Sequence, residues 1–170
     1  SSATGSAVMG VGGSGYGEWN GTGGSVYVGG LVGNNTNFTG DAANDITRSN
    51  ATATVLGVGG YGYGYDNRGA GGDVYAGGLV GLNVAGHIEN AYANGNVVGK
   101  KGYGEDYEGG EDGRSYVGGL VGEIYNGSII QSYATGVVYG GNYTGGLVGL
   151  SDGGSNIADA YATGMVTGED

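Results

Sequence analysis

The pentapeptide Gly-Gly-Leu-Val-Gly occurs four times in this chain of 170 residues, and this repetition constrains the fold more than any other feature. The copies occupy residues 29–33, 77–81, 118–122 and 145–149. Each copy is followed by an isoleucine and, four residues later, by a block such as Tyr-Ala-Thr-Gly. The isoleucines are Ile46, Ile88, Ile129 and Ile157, and the blocks begin at Asn50, Tyr92, Tyr133 and Tyr161. Two halves in fixed register are the sequence signature of a repeat architecture.

Inserts rich in glycine and tyrosine separate one repeat from the next. They span residues 11–25, 58–73 and 100–114, whereas the fourth shrinks to residues 141–142. Aligned on the tripeptide Gly-Tyr-Gly, the first three superpose as 15–19, 62–66 and 102–106. This alignment predicts that the inserts are copies of one another. Their shared tyrosine position is then occupied by Tyr16, Tyr63 and Tyr103.

We interpret residues 1–170 as a single repeat domain. Residues 1–10 resemble a second half that lacks its first half. The repeats that follow cover residues 26–57, 74–99, 116–140 and 143–168. Because both ends of the chain present repeat-like residues, we expect one of two partners: further repeats of the same polypeptide, or other subunits stacked head to tail into a filament.

The composition excludes several classes of fold and partner. The chain contains 46 glycines but no proline and no cysteine. Collagen needs proline as well as glycine at every third position, and a helical bundle would lose about 1 kcal/mol for each interior glycine relative to alanine. A formal charge of −11 opposes binding to nucleic acid and to anionic membrane surfaces. No apolar run reaches the roughly 18 residues that membrane insertion requires.

The repeated pentapeptide predicts a β-strand in which Val28, Gly30 and Val32 share one face. Leu31 lies on the other face between two glycines, so both faces are apolar, as in a strand of a parallel stack. Stacking would form one internal ladder from the four isoleucines and a second from Leu31, Leu79, Leu120 and Leu147. The sequence therefore predicts an all-β fold, a repeat β-solenoid similar to a parallel β-helix, with the inserts as added strands or loops. A two-layer β-sandwich is the alternative.

The pentapeptide, the isoleucine and the block Tyr-Ala-Thr-Gly-x-Val together resemble the GLUG-motif repeat of bacterial surface proteins. These proteins include haemagglutinin-type adhesins and the stalk regions of immunoglobulin A peptidases. The resemblance covers the four repeats and implies an extracellular, β-rich repeat at the cell surface. The inserts lie outside the motif and take no role from it.

The inserts carry the candidate ligand-binding side chains. Aromatic residues on a glycine scaffold offer apolar faces with polar tips, which suit the stacking of sugar rings. Three aromatic residues differ between the copies, and we predict that they bind a ligand such as a glycan: Trp19, Tyr65 and Tyr107. We expect the tyrosines at the shared insert position to form a second layer over outward-facing valines. Those valines are Val32, Val80 and Val121.

The third insert concentrates acidic residues on a glycine-rich backbone. They are Glu105, Asp106, Glu108, Glu111 and Asp112. Because Ca²⁺ takes six to eight oxygen ligands, these carboxylates are candidate calcium ligands. We favour a solvated acidic loop, since three basic residues flank the cluster and no known calcium-loop pattern is present, and we therefore expect no cofactor, with calcium as the alternative.

Sequons for N-glycosylation occur six times, at Asn20, Asn34, Asn37, Asn50, Asn126 and Asn142. The same tripeptides also suit the turns of a glycine-rich β-repeat. Asn50 occupies the position at which the other repeats have a tyrosine, and we interpret those tyrosines as core residues.

Little in the sequence predicts catalysis. The only histidine, His87, has no repeated partner. A carboxylate pair suited to hydrolysis would combine Asp66 with Glu105 or Asp106. We therefore expect no enzyme and predict an extracellular structural protein that forms a stalk, fibre or filament on or outside the cell surface. The alternatives are an adhesin that binds glycans through its inserts and, as the weakest, a polysaccharide-active enzyme.

Overall fold

The computed structural model describes residues 1–37, 44–65, 69–106 and 109–169. In these residues the chain forms β-strands joined by short turns, without any helix. The same residues accordingly hold no helix with the length and apolar character needed to span a membrane. The strands wind in successive rungs, where a rung is one complete turn of the chain.

The strands follow the same order in each rung. The first rung contains β1 (Ser2–Ala3), β2 (Ala7–Val11), β3 (Gly15–Gly17), β4 (Gly21–Thr22), β5 (Val26–Gly29), β6 (Val32–Thr36) and β7 (Ile46–Thr47). The second contains β8 (Asn50–Ala51), β9 (Thr54–Val58), β10 (Gly62–Gly64), β11 (Gly69–Ala70), β12 (Val74–Gly77), β13 (Val80–Val84) and β14 (His87–Glu89). The third contains β15 (Tyr92–Ala93), β16 (Val97–Lys100), β17 (Gly104–Glu105), β18 (Ser115–Gly118), β19 (Val121–Tyr125) and β20 (Ser128–Ile130). The fourth contains β21 (Tyr133–Ala134), β22 (Val138–Gly140), β23 (Tyr143–Gly145), β24 (Val148–Asp152) and β25 (Asn156–Ala158), and the chain continues into β26 (Tyr161–Ala162) and β27 (Val166–Gly168).

Each strand pairs in parallel with its equivalent in the neighbouring rung. Within the described ranges these pairs build seven sheets: β1-β8-β15-β21-β26, β2-β9-β16-β22-β27, β3-β10-β17, β4-β11, β5-β12-β18-β23, β6-β13-β19-β24 and β7-β14-β20-β25. Parallel pairing of strands that are far apart in sequence confirms the predicted β-solenoid. It excludes the two-layer sandwich, which required antiparallel strands.

Equivalent residues of neighbouring rungs lie opposite one another. Ile88 pairs with Ile129, and the backbone N–H of Leu79 donates to the carbonyl oxygen of Leu120 at 2.9 Å. All four side chains are fully buried. The predicted leucine and isoleucine ladders are therefore confirmed as internal.

The repeated pentapeptide forms a corner rather than the continuous strand that its pattern predicts. β5 ends at Gly29 and β6 begins at Val32, and equivalent breaks separate β12 from β13 and β18 from β19. At this corner the leucine and the valine both point inward, and Val80 and Val121 are fully buried. The prediction that Val32, Val80 and Val121 face outward is wrong, because the bend interrupts the alternation of faces along a straight strand.

The Tyr-Ala step of each second half places its alanine inside and its tyrosine outside. Ala93 is fully buried, whereas Tyr92 and Tyr133 are half-buried and Tyr161 is 55% exposed. The interpretation of these tyrosines as core residues is wrong, because the corner glycines pack against the alanines. A Cβ added at Gly78 would lie 2.7 Å from the Cβ of Ala93, so the interior has no space for a ring.

Two apolar clusters fill the solenoid. One lies behind the corner and contains the internal leucines and isoleucines with several alanines. The other consists of Ala76 and the valines Val26, Val28, Val55, Val74, Val97, Val117 and Val138. The buried amide of Asn83 is satisfied, since its Nδ2 donates to the carbonyl of Gly86 at 2.9 Å and its Oδ1 accepts from Asn35 at 2.7 Å.

The inserts stack into a two-layer arm whose layers touch through glycine. β3, β10 and β17 form one layer, and β4 and β11 form the other. A Cβ at Gly15 would collide with the carbonyl of Thr22, and a Cβ at Gly62 would collide with that of Ala70. Backbone contact therefore holds the layers together, which explains why glycine alternates with other residues along β3 and β10.

The third insert pairs in a different register from the predicted one. Tyr63 lies opposite Tyr16, as predicted, but on its other side it lies opposite Glu105 rather than Tyr103. Tyr103 stands two residues earlier, where its carbonyl accepts a hydrogen bond from the N–H of Gly62 at 2.9 Å. A shift of two residues keeps each side chain on its face, so the glycine alternation does not distinguish the two registers.

The sheets of the stack differ in their number of strands. The sheets that begin with β1 and β2 have five strands, whereas those that begin with β5, β6 and β7 have four. Side chains of the last rung are uncovered: Ile157 is 39% exposed, while Ile129 is fully buried. The last rung therefore presents an open, partly apolar surface.

We predict that Leu120→Ala lowers the free energy of unfolding by about 2–5 kcal/mol, because it leaves a cavity between two rungs. Chemical denaturation followed by circular dichroism measures this loss. The control is Val137→Ala, at a position that is 39% exposed, and it should change the free energy by less than about 0.5 kcal/mol. Equal effects of the two variants would contradict an internal leucine ladder.

Candidate functional site

Exposed aromatic side chains on the first two inserts line a groove of about 740 Å³. The lining residues are Tyr16, Gly17, Glu18, Trp19, Tyr63 and Tyr65, and we call this site the aromatic groove. Its rings are open to solvent, with exposed fractions of 74% for Tyr16, 70% for Trp19 and 66% for Tyr65.

The alternation of glycine and tyrosine positions the rings of the groove. The glycines of β3 and β10 face the opposite layer of the arm, so the tyrosine between them points away from it. Tyr16 and Tyr63 are cross-strand partners one rung apart. Trp19 lies in the bend between β3 and β4, and Tyr65 directly follows β10. Two strands and their adjoining turns thus bring four rings to one surface.

Tyr61 lies beside the aromatic groove and connects the second insert to the third. Its ring centroid is 6.0 Å from that of Tyr16, with the ring planes at 53°. Its hydroxyl donates to Oε2 of Glu105 at 2.5 Å. This hydrogen bond raises the pKa of Tyr61 to about 12. The phenol is therefore neutral at physiological pH and holds one edge of the groove in place.

The structure brings together two of the three predicted ligand-binding residues, Trp19 and Tyr65. Tyr107 lies outside the described residues. Tyr16 and Tyr63 line the groove instead of covering valines, because the corner already buries those valines. The second-layer prediction is therefore wrong for both tyrosines, and ligand binding stays a prediction.

A second, polar cleft of about 430 Å³ lies where the fourth rung has no insert. It is lined by Gly99, Lys101, Tyr103, Asp112, Ser115, Gly141, Asn142 and Glu169. Tyr103 is 65% exposed here, so it does not cover a valine either. Nζ of Lys101 lies 3.1 Å from Oδ2 of Asp112, so the cation in this cleft already has an anionic partner.

The acidic residues of the third insert do not converge on one point. Glu105 accepts a hydrogen bond from Tyr61, while Asp112 pairs with Lys101 and accepts from a backbone N–H at 3.2 Å. Glu108 lies outside the described residues. Across the described ranges, no three acidic or histidine side chains are grouped closely enough to hold a metal ion. Calcium binding stays a prediction that these contacts do not support.

The asparagines of the six sequons differ in exposure. Asn20, Asn34, Asn126 and Asn142 are exposed, whereas Asn37 and Asn50 are half-buried. Nδ2 of Asn50 donates to the hydroxyl of Tyr92 at 2.9 Å, and its Oδ1 accepts from Ser2 at 2.7 Å. Because an N-glycan attaches to Nδ2, glycosylation of Asn50 would break a contact between rungs. Glycosylation stays a prediction, and the four exposed asparagines suit it best.

A ladder of stacked tyrosines that the repeated motif does not predict lies on the outer face of the sheet that begins with β5. It consists of Tyr27, Tyr75, Tyr116 and Tyr143, with ring centroids 4.7, 4.6 and 4.9 Å apart and ring planes within 6° of parallel. Burial raises the pKa of Tyr75 well above its usual range. A signal was present in the sequence, because each of these tyrosines stands two residues before a pentapeptide.

Glu123 is an acidic residue that lies between two leucines of neighbouring rungs. Its partners in β13 and β24 are Leu82 and Leu150. Partial burial raises the pKa of Glu123, and the negative charges of Asp152 and Asp73 raise it further. A raised pKa means that the folded state favours the protonated acid, so the carboxylate present at neutral pH opposes folding.

The only histidine contacts surface residues of its own sheet. Nδ1 of His87 is hydrogen-bonded to the hydroxyl of Ser128, and Nε2 lies 3.8 Å from Oε2 of Glu89. Of the carboxylates considered for hydrolysis, Asp66 lies outside the described residues. The expectation that the chain is not an enzyme stays a prediction.

Repeated rungs in parallel register define this molecule as a β-solenoid repeat protein. The GLUG motif matches residues 72–98, 113–139 and 140–167. The chain therefore belongs to the GLUG-repeat family. No curated protein and no solved structure matches it. The first repeat lies outside the three matched segments, although β5, β6 and β7 pair in register with the strands of the second repeat.

We predict that Glu123→Leu raises the melting temperature at neutral pH, since it removes a half-buried carboxylate and adds a leucine between two others. The expected gain in the free energy of unfolding is up to about 1 kcal/mol. It should shrink at about pH 4, where the carboxyl of the unmodified protein is protonated in the folded state. Thermal unfolding of both proteins at the two pH values measures this. The control is Glu111→Leu, at an exposed position, which should change the melting temperature little. If the gain from Glu123→Leu instead grew on acidification, the raised pKa of Glu123 would be contradicted.

Proposed function

We propose that this chain is an extracellular structural module, a rigid section of a stalk, fibre or filament on or outside the cell surface. The observation that carries the proposal is the register of the rungs, in which strands pair with their equivalents along one axis. Such a stack lengthens by the addition of rungs without changing those already present. Length and rigidity are the properties that this architecture supplies.

Side-chain ladders inside and outside the stack support rigidity. Leu79 and Leu120 are packed together in the interior, while Tyr75 and Tyr116 stack on the outer face of the sheet at 4.6 Å with planes 5° apart. Bending the rod would separate one of these ladders and compress the other. Both deformations cost contact energy, because packed side chains have little free space.

The GLUG motif supports a position outside the cell, and the composition of the chain is compatible with it. The chain has no cysteine, so its fold does not depend on the redox state of its surroundings. Its charge of −11 favours solubility and keeps neighbouring rods apart. The exposed sequons are compatible with passage through a secretion pathway that glycosylates asparagine.

Such a stack can lengthen in either of two ways. Further repeats of the same polypeptide can add rungs, or other subunits can stack head to tail on the exposed strands.

We predict that extra copies of residues 141–168, inserted after Gly168, extend the rod. Each copy contains strands that stack on β23 to β27, so it should add about 4.8 Å of length and raise the melting temperature. Electron microscopy and small-angle X-ray scattering of chains with increasing copy number measure the length. Scrambled copies of the same residues are the control and should add neither length nor stability.

A length that does not increase with copy number would overturn the rod proposal. Sedimentation of the unextended chain separates the two modes of growth. Monomers would assign growth to further repeats of the same polypeptide, whereas rods of indefinite length would assign it to head-to-tail stacking of subunits. Antibodies against the chain should label intact source cells, and labelling only after permeabilisation would overturn the extracellular placement.

A further inference from the structure

We propose that the aromatic groove binds a neutral polysaccharide chain by stacking sugar rings on its tyrosine and tryptophan side chains. This inference goes beyond the structural role, because it assigns a ligand to one surface of the arm. It concerns the first two inserts alone, and the solenoid stands without it.

The exposure of the groove is the first observation that points to a ligand. Tyr16, Trp19 and Tyr65 are each more than 60% exposed, although each could bury a large apolar surface. The solenoid interior is already filled by its own valines and leucines, so these rings are not needed to cover it. Clustered exposed rings on a soluble protein mark a binding surface.

The chemistry of the lining favours a carbohydrate. Tyrosine and tryptophan present an apolar face that packs on the C–H face of a sugar ring, and a polar tip that hydrogen-bonds to hydroxyl groups. Tyr16 and Tyr63 repeat one rung apart in the same column. A polymer with a repeating ring presents equivalent faces at intervals, so successive units can contact successive rings.

Charge selects a neutral polymer. Glu18 is the one charged residue among the described lining residues, and the chain as a whole carries −11. Uronic acids, sulfated sugars and nucleic acids would be repelled by this field, and the lining residues that the structure describes include no cation to offset the repulsion. A neutral polysaccharide pays no such penalty.

The strands that carry the rings have a fixed backbone before a ligand binds. The strands that carry Tyr16 and Tyr63 are fixed by backbone contact with the opposite layer, since a Cβ at Gly15, Gly17 or Gly62 would collide with it. Each ring has only two side-chain torsions to order. Binding therefore loses little conformational entropy, which favours affinity.

Among the described residues, the column that holds Tyr16 and Tyr63 changes character at the third insert. Opposite Tyr63 that insert has Glu105, whose carboxylate accepts a hydrogen bond from Tyr61. A surface that paired copies of the solenoid side by side would repeat the same residue in every insert. This change therefore favours a ligand chain over contact between copies.

Affinity gel electrophoresis with soluble hydroxyethyl cellulose, dextran and polygalacturonate, followed by calorimetry, tests the proposal. We expect at least one neutral polymer to retard the migration of the protein, and we expect this retardation to be insensitive to salt. Trp19→Ala and Tyr65→Ala should each weaken binding about fivefold, and the double variant should weaken it about 25-fold, enough to remove detectable retardation. Tyr103→Ala removes an equally exposed tyrosine from the third insert and is the matched control, with binding unchanged.

Each contrary result would overturn a different part of the proposal. Retardation by neither neutral polymer overturns the proposal, as does binding that the double variant retains. Binding of polygalacturonate alone, lost at high salt, overturns the neutral assignment. Loss of self-association in the double variant, seen by sedimentation, would reassign the groove to contacts between copies. Unchanged circular dichroism and melting temperature show that the variants fold, and rod length measured by electron microscopy reports on the structural role separately.

Discussion

The parallel hydrogen-bond ladder between rungs is the interaction on which the other features depend. It places each residue opposite its equivalent in the next repeat, so that any property of one position is multiplied along the axis. Leu79 and Leu120 become part of an internal column, Tyr75 and Tyr116 become part of an external stack, and glycine at the corner recurs as Gly78 and Gly119. One repeat cannot bury its apolar face alone, and the ladder supplies the neighbour that does so.

The arm uses the same parallel hydrogen-bond ladder, but its two layers pack through backbone contact. Its two layers have no side chains between them, so their closeness depends on glycine at alternate positions such as Gly15 and Gly62. All side-chain chemistry of these strands is consequently displayed on the outside. This arrangement lets residues such as Trp19 and Glu18 change without disturbing the core, because they contact neither apolar cluster. The apolar clusters of the solenoid thus supply stability, whereas the arm supplies surface chemistry.

The sequence alone predicts the solenoid and its internal ladders, because repetition in one direction leaves few other ways to bury Leu120 and Ile129. It does not predict the corner, since Gly30 and Leu31 fit an alternating strand as well as a bend. Nor does it predict the register of the third insert, where a shift of two residues preserves every face. Variation between copies singles out Trp19 as a candidate ligand-binding residue, and only the structure shows that Tyr16 lines the same groove.

The direction of the inter-rung hydrogen bonds determines how the solenoid responds to force. They run along its axis, so a pull between the two ends loads the outermost rung first and separates rungs one after another rather than all together. Each rung adds about 4.8 Å to the intact solenoid, yet a released repeat of 41 residues, the spacing from the second pentapeptide to the third, can extend to about 140 Å. A tether built this way lengthens in steps under load and dissipates energy at each step while the remaining rungs stay folded.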